Sequence, residues 1–200
     1  MIRLAWPMLV SLLVLSACSV GTTPVPVTSD QPAAGDPSTS ATPVPVTSDQ
    51  PAAGDPSANA LLEHELTDVR SGERFTLGQL AADGPVLVET MAVWCTTCLA
   101  QQREVVEAHA LADFHSVGID VDPNERPDDL AEYADREGFD WRFAMADATL
   151  VDLLTDAYGF AVTNPPSTPT FVISTDGRVR ALEFGRVRSA EELVAELASD

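Results

Sequence analysis

Two cysteines separated by two residues, Cys95 and Cys98, are the residues whose type and spacing point most directly to chemistry. An apolar run at 85–93, interrupted only by Glu89 and Thr90, precedes them, and a stretch with helical periodicity follows. Backbone N–H groups and the dipole at a helix N-terminus stabilise a thiolate. A strand that leads into such a pair therefore predicts the reversible formation and cleavage of a disulfide.

Zinc binding and a structural disulfide are the other chemistries open to a cysteine pair. The chain has three cysteines, three histidines and no second Cys-x-x-Cys, so a zinc site would need His64, His109 or His115. Disulfide scaffolds use more cysteines at longer separations. We expect no metal and no cofactor, and a structural disulfide or a pair of buried free thiols remains the alternative.

The N-terminus has the pattern of an export signal. Arg3 is the one early charge, and the apolar run at 8–15 is shorter than the roughly 20 residues that span a bilayer. The run ends in Leu-Ser-Ala before Cys18, which resembles the lipobox of prokaryotic lipoproteins. That resemblance implies a signal peptide at 1–17, cleavage before Cys18 and lipidation of this cysteine. A plain secretory signal is the alternative, and both export the domain.

Residues 18–59 are expected to form a disordered, proline-rich tether. A block of 16 residues occurs twice without a mismatch, at 23–38 and at 42–57. Frequent prolines remove backbone donors, and the scarcity of large apolar side chains leaves little to offset the entropy of ordering. Residues 60–200 then form one domain, large enough for its own core.

The charge of the chain excludes some partners. It has 31 acidic residues against 11 basic ones, all arginine, and a formal net charge of −20. Nucleic acids and anionic lipid surfaces repel such a chain. We therefore expect no nucleic-acid partner.

Hydrophobic periodicity and turn residues predict alternating strands and helices within the domain. Strands are expected at 62–69, 74–76, 86–93, 114–121, 141–145, 170–174 and 178–184, and helices at 77–82, 99–112, 128–137, 147–158 and 189–197. This order predicts an α/β fold: a three-layer α/β/α sandwich with a mixed central sheet, an N-terminal β-hairpin and a helical insertion at about 123–146.

Three motifs together resemble the thioredoxin superfamily. They are Trp94 followed by the cysteine pair, Glu89 six positions before Cys95, and a Ser-Thr-Pro-Thr sequence at 167–170 ahead of a strand and hairpin. The N-terminal hairpin, the tether and the insertion are similar to the extracytoplasmic TlpA/ResA-like branch. The resemblance covers about 62–199 and implies a thioredoxin-like fold.

The resemblance also implies roles for the cysteines and the acid. Cys95, exposed at the helix N-terminus, attacks a substrate disulfide, and Cys98 resolves the mixed disulfide. Glu89 is the buried acid that accepts the proton of Cys98. An exposed strand edge is the alternative position for Glu89.

The remaining motif residues are expected to meet the substrate. Trp94 shields the site and offers apolar contact, with ordinary packing as its alternative role. The resemblance implies a cis peptide bond before Pro169, so that the backbone of Thr168 can pair with an extended substrate. A trans Pro169 in a simple turn is the alternative. Thr96 and Thr97 differ from the more familiar pairs between the cysteines, and the direction of electron flow is left open.

The resemblance implies a lipid-anchored thiol–disulfide oxidoreductase on the extracytoplasmic face of the cell membrane. Expected partners are exported proteins with cysteines, such as apocytochrome c or copper-site proteins, and a membrane electron donor such as a thiol–disulfide transporter. A Sco-like copper-binding module is the alternative. It is less favoured because Sco proteins use Cys-x-x-x-Cys and a histidine in the loop before the later strand, and 164–169 contains none.

Overall fold

Strands and helices alternate along residues 56–199, the part of the chain described by a computed structural model of the protein. The helices are α1 Pro56–Glu63, α2 Leu77–Asp83, α3 Thr96–His109, α4 Pro127–Glu137, α5 Ala148–Tyr158 and α6 Ala190–Leu197. The strands are β1 Glu65–Thr67, β2 Arg74–Thr76, β3 Val86–Met91, β4 His115–Asp120, β5 Arg142–Met145, β6 Thr170–Ile173 and β7 Val179–Ala181. Two 3-10 turns, Phe160–Thr163 and Pro165–Ser167, join α5 to β6.

The central sheet has five strands in the order β5-β4-β3-β6-β7. β3, β4 and β5 are parallel, whereas β6 pairs antiparallel with both β3 and β7. β1 and β2 form a separate antiparallel hairpin. All six residues of β3 are buried, as its continuous apolar run predicts for a central strand. The predicted α/β fold with a mixed sheet and an N-terminal hairpin is confirmed.

Alternate residues of β3 face different helical layers. Val86 and Val88 pack in a core with residues of α1, α2 and α5. Leu87 packs with α3 and α6, and Met91 packs with the cysteines and α4. The sheet thus lies between two helical layers, and the carboxyl end of β3 leads directly to the cysteine pair at the start of α3.

The first described helix, α1, begins before residue 60, the predicted start of the domain. α1 covers Pro56–Glu63, so part of the expected tether and of the expected strand at 62–69 is helical. Ala58, Leu61 and Leu62 are buried on one side of this helix, and their spacing of three and four residues is that of an amphipathic helix. The predicted signal peptide, Cys18 and the predicted tether up to residue 55 lie outside the described residues. Within 56–199, no helix combines the length and apolarity needed to cross a membrane.

Candidate active site

Cys95 caps the N-terminus of α3. Its backbone is extended, with φ −79° and ψ 104°, and its sulfur accepts the backbone N–H of Cys98 at 3.1 Å. In this position the sulfur meets the free N–H groups and the positive end of the helix dipole, which stabilise a thiolate. The two cysteines are joined as a disulfide, so the structure describes the oxidised form of the pair.

The disulfide is covered from solvent. Cys95 is 2% exposed and Cys98 is 0% exposed, so the expectation of an exposed Cys95 is wrong for the oxidised form. The 3-10 turn before β6 lies over the pair: the carbonyl oxygen of Pro165 is 3.2 Å from the Cys98 sulfur. The Thr97 hydroxyl donates to the carbonyl of Pro166 at 3.2 Å. The turn therefore lies on the Cys98 side of the disulfide.

Thr168 and Pro169 are held inside the protein and differ from expectation. The described residues contain no cis peptide bond, so the predicted cis bond before Pro169 is wrong. Thr168 reverses the chain through a left-handed conformation, with φ 47°, and its N–H donates to Pro165 at 2.8 Å. It is 1% exposed, and the carbonyl of Pro169 accepts the N–H of Thr90 at 3.1 Å. The N–H of Thr168 is thus already bonded in this conformation, and the pairing of its backbone with a substrate stays a prediction.

Trp94 lies at the surface beside the pair. It is 56% exposed, and its indole N–H donates to Oδ2 of Asp122 at 2.6 Å. That hydrogen bond is the largest cause of the lowered pKa of the Asp122 carboxyl. The arrangement presents an oriented aromatic surface next to Cys95, and substrate contact through Trp94 stays a prediction.

Glu89 lies in the middle of β3 and is 4% exposed, so the exposed-edge alternative is wrong. Gln102, one helical turn after Cys98, interacts with its carboxyl group. The Gln102 amide nitrogen donates to the sulfur of Met91 at 3.1 Å, and its amide oxygen accepts the Tyr133 hydroxyl at 2.6 Å. Among the described residues, Glu89 Oε1 has no hydrogen-bond partner. Burial raises the pKa of Glu89 well above its ordinary value, and the interaction with Gln102 lowers this pKa in part. Glu89 therefore keeps its proton to a higher pH than an ordinary glutamate does, and its exchange of that proton with Cys98 stays a prediction.

Sequence reasoning missed an acidic group beside the pair, formed by Asp120, Asp122 and Glu125. Asp120 ends β4 and is 1% exposed. Both carboxylate oxygens of Glu125 accept the N–H of Val93, at 2.8 and 3.1 Å. The available signal was an acidic run after a central strand, because the carboxyl ends of parallel strands meet at one edge of a sheet.

The histidines lie away from the disulfide. His109, at the end of α3, stacks on Phe114 with ring centroids 4.0 Å apart and bonds the Ser116 hydroxyl at 2.9 Å. Burial lowers its pKa. His64 lies 3.3 Å from a carboxylate oxygen of Asp147. Within 56–199, no three residues among His, Cys, Asp and Glu are arranged to hold a metal ion.

A family model described as Redoxin matches residues 33–197, most of the chain. The chain belongs to the Redoxin family. No curated protein matches the sequence of this Redoxin-family member.

Solved structures with similar folds support the assignment of the architecture. A thiol:disulfide interchange protein of the thioredoxin family from Chlorobium tepidum is 22% identical with a TM-score of 0.53, covering 67% of this chain and 90% of that one. A secreted Mycobacterium tuberculosis disulfide oxidoreductase homologous to E. coli DsbE is 17% identical with a TM-score of 0.53, covering 71% and 99%. A Sco/SenC family lipoprotein from Bacillus anthracis is 17% identical with a TM-score of 0.54, covering 67% and 90%. At these identities the likeness shows the fold, and the Redoxin-family chain has the predicted thioredoxin-like architecture.

Proposed function

We propose that this chain is an extracytoplasmic thiol–disulfide oxidoreductase that works through Cys95 and Cys98. The observation that carries the proposal is the sulfur of Cys95 at the cap of α3, with the N–H of Cys98 directed at it from 3.1 Å. A thiolate formed there gains a charge-assisted hydrogen bond and the favourable end of the helix dipole. Cys95 and Cys98 can form their disulfide without unwinding α3, because the two residues are about one helical turn apart.

In the reduced protein, the Cys95 thiolate attacks one sulfur of a substrate disulfide. A mixed disulfide forms, and the other substrate sulfur leaves as a thiolate. Cys98 then loses its proton to Glu89 and attacks the Cys95 sulfur, so that the second substrate sulfur is released. Two electrons pass to the substrate, and the protein is left with the Cys95–Cys98 disulfide. The same steps in reverse oxidise a substrate dithiol.

The surface around the disulfide suits a polypeptide substrate. Trp94 is largely exposed, and Thr96, Thr97 and Pro166 are also at the surface around the cysteine pair. The hydrogen bond between Thr97 and Pro166 is one of the contacts that hold the turn at 165–167 against α3. The loss of this one bond costs on the order of 1 kcal/mol. A peptide that displaces it gains access to Cys95 and an aromatic surface on Trp94.

We further propose that the domain works outside the cytoplasm on a lipid anchor. The support is the signal pattern at 1–17, the small residues before Cys18 and the proline-rich segment at 18–59. The proposed partners are exported proteins with cysteines, among them apocytochrome c and copper-site proteins, and a thiol–disulfide transporter that returns electrons. Radiolabelled palmitate should label the wild-type protein in its host and not the Cys18→Ser variant. Equal labelling of both would exclude this anchor.

The activity itself is tested by insulin reduction together with a redox titration of the pair. The wild-type protein should precipitate insulin in the presence of dithiothreitol and should show a two-electron midpoint, and Cys95→Ser should do neither. Thr163→Ala, which alters a half-buried position of the preceding turn and removes a hydrogen bond to Phe160, is a control for general damage. An insulin rate equal to that of Cys95→Ser would exclude the proposed activity.

Copper binding is the second candidate, since a Sco-family protein of Bacillus anthracis shares the fold. The two thiols are soft ligands that suit Cu(I). Titration of the reduced protein with Cu(I) in competition with a chelator separates the candidates. Tight stoichiometric binding without insulin reduction would favour the copper module.

A further inference from the structure

The backbone N–H of Val93, two residues before Cys95, is held by a residue from another part of the chain. Both oxygens of the Glu125 carboxyl accept it, at 2.8 and 3.1 Å. Glu125 follows β4, whereas Val93 follows β3, so this contact joins the ends of two neighbouring strands. It therefore fixes the turn that carries Trp94 and Cys95 from β3 into α3.

The carboxyl group of Asp120 lies next to that of Glu125. Asp120 is 1% exposed, and its Oδ1 accepts the N–H of Asp122 at 2.8 Å. Its Oδ2 is buried, and no N–H or O–H group among the described residues donates to it. The carboxyl of Glu125 is the neighbour in hydrogen-bonding contact with Asp120. Two carboxyl groups in buried contact repel when both are ionised, and they attract when one proton lies between them.

Among the described residues, the groups that act most strongly on Asp120 bring no positive charge to relieve that repulsion. In the sheet, Met91 of β3 and Met145 of β5 lie opposite it. The charged groups that act on it are Glu125 and Asp122, both acidic and both from the loop after β4. Burial, the contact with Glu125 and these negative charges raise the pKa of Asp120 to about 8. At neutral pH the two carboxyl groups therefore share one proton between them.

We propose that Asp120 and Glu125 are positioning residues: a carboxyl pair that shares one proton and thereby holds Val93, and with it the Trp94–Cys95 turn, in the geometry for disulfide exchange. This inference rests on the proposed function for its effect on exchange. The existence of the carboxyl pair is inferred only from the contacts among Val93, Asp120 and Glu125.

The sign of the pH dependence of this turn follows from the direction in which the pKa of Asp120 is shifted. Asp120 has a pKa of about 8 in the folded protein, above that of an unfolded chain. The support given by the protonated pair is therefore fully present in mild acid and is lost as the pH rises through about 8. The turn before Cys95 should loosen on the alkaline side, where thiolates are otherwise most abundant.

The test is a site-resolved NMR titration of the full-length protein, with disulfide exchange measured on the same samples. The carboxyl carbon of Asp120 and the amide of Val93 should titrate together, with one midpoint near 8. In Asp120→Asn, the side-chain amide still donates to Glu125 but cannot lose a proton, so the Val93 amide should stay constant from neutral to alkaline pH. In Glu125→Ala, exchange at neutral pH should fall by on the order of tenfold, because Val93 loses its acceptor. Glu132→Gln removes an exposed carboxylate from α4 and should behave as the wild type.

The proposal of a proton-sharing pair would be overturned if the Val93 amide and the Asp120 carboxyl titrated independently. It would also be overturned if the Asp120 carboxyl ionised in the ordinary acidic range. An Asp120→Asn variant in which Val93 still titrates would also overturn it. These readouts do not depend on enzymatic turnover. A protein that shows the coupled titration but exchanges no disulfides would therefore contradict the proposed function and leave the pair established.

Discussion

The hydroxyl oxygen of Thr97 lies 3.3 Å from the sulfur of Cys95 and 3.2 Å from the carbonyl oxygen of Pro166. A hydroxyl has one proton to donate. In the oxidised protein the carbonyl is the better acceptor, whereas in the reduced protein a thiolate at Cys95 competes for the same proton. Rotation of the Thr97 hydroxyl from Pro166 to Cys95 therefore stabilises the reduced form. The same rotation breaks the hydrogen bond to the turn that lies over the cysteine pair.

We predict that Thr97→Val makes the reduction potential of the pair more negative by on the order of 30 mV, equivalent to about 1.4 kcal/mol. Valine keeps the shape of threonine and removes the donor to the thiolate. Thr97→Ser, which keeps the hydroxyl, should restore the potential. Thr96→Val is the matched control, because Thr96 is exposed and makes no side-chain hydrogen bond among the described residues. Equal shifts in Thr96→Val and Thr97→Val would contradict a specific role for the Thr97 hydroxyl.

Glu89 should make the protein less stable as the pH rises. Burial raises its pKa well above the ordinary value, so its contribution to stability is fully present below the unfolded pKa and is lost as the pH rises through the folded pKa. Glu89→Gln is neutral at every pH and should melt near the wild-type temperature in acid and above it at alkaline pH. Its exchange rate should also lose part of the wild-type pH dependence.

Calorimetry and stopped-flow measurements over the same pH series check this prediction, with Glu107→Gln on the exposed side of α3 as the control. An unchanged pH dependence of exchange in Glu89→Gln would reject the proton-acceptor role. A stability difference that is the same at every pH would reject the raised pKa.

Gly118 provides the space that the ring of Phe143 occupies in the core. Gly118 of β4 and Glu89 of β3 are opposite each other, and a Cβ added at Gly118 would lie 2.5 Å from two ring carbons of Phe143. We predict that Gly118→Ala lowers the free energy of unfolding by about 1–3 kcal/mol, because a packed core resists the added methyl group. Urea denaturation measures this, and Gly84→Ala, whose Cβ would lie 3.7 Å from the His115 ring, should be near neutral. Equal stability of the two variants would show that Phe143 moves without cost.

Trp94 should be released from Asp122 in acid. The indole hydrogen bond lowers the pKa of Asp122, so this bond is present at neutral pH and is lost as the pH falls through the folded pKa of Asp122. The indole N–H resonance of Trp94 should therefore move on acidification, and it should stay in place in Asp122→Asn. Movement of that resonance in both proteins would assign the effect to another group.

The elements around the site follow from local sequence patterns. The continuous apolar run of β3 predicts a central strand, and the cysteine spacing predicts the start of α3. The Asp-Gly turn before Arg178 predicts the hairpin of β6 and β7, and Gly177 has the positive φ of 80° that such a turn favours. These features depend on a few neighbouring residues, which explains why they could be predicted.

The features that were not predicted depend on residues distant in the chain. The contacts of Thr97 and Cys98 with Pro166 and Pro165 come from a turn about 70 residues later. The contact between Val93 and Glu125 spans 32 residues, and it exists because β3 and β4 end at the same edge of the sheet. α1 was missed for a different reason: its apolar pattern is only eight residues long and overlaps the repeated proline-rich block.

The measurement that tests the central claim most directly is mixed-disulfide trapping by single cysteine variants in a Cys18→Ser background. Cys98→Ser leaves Cys95 at the helix cap as the nucleophile with no resolving thiol, so it should form a stable adduct with a disulfide-containing peptide that dithiothreitol releases. Cys95→Ser should form little adduct, and the double variant none. The account predicts an adduct through Cys95 in Cys98→Ser; no adduct there, or an equal adduct in Cys95→Ser, would contradict it.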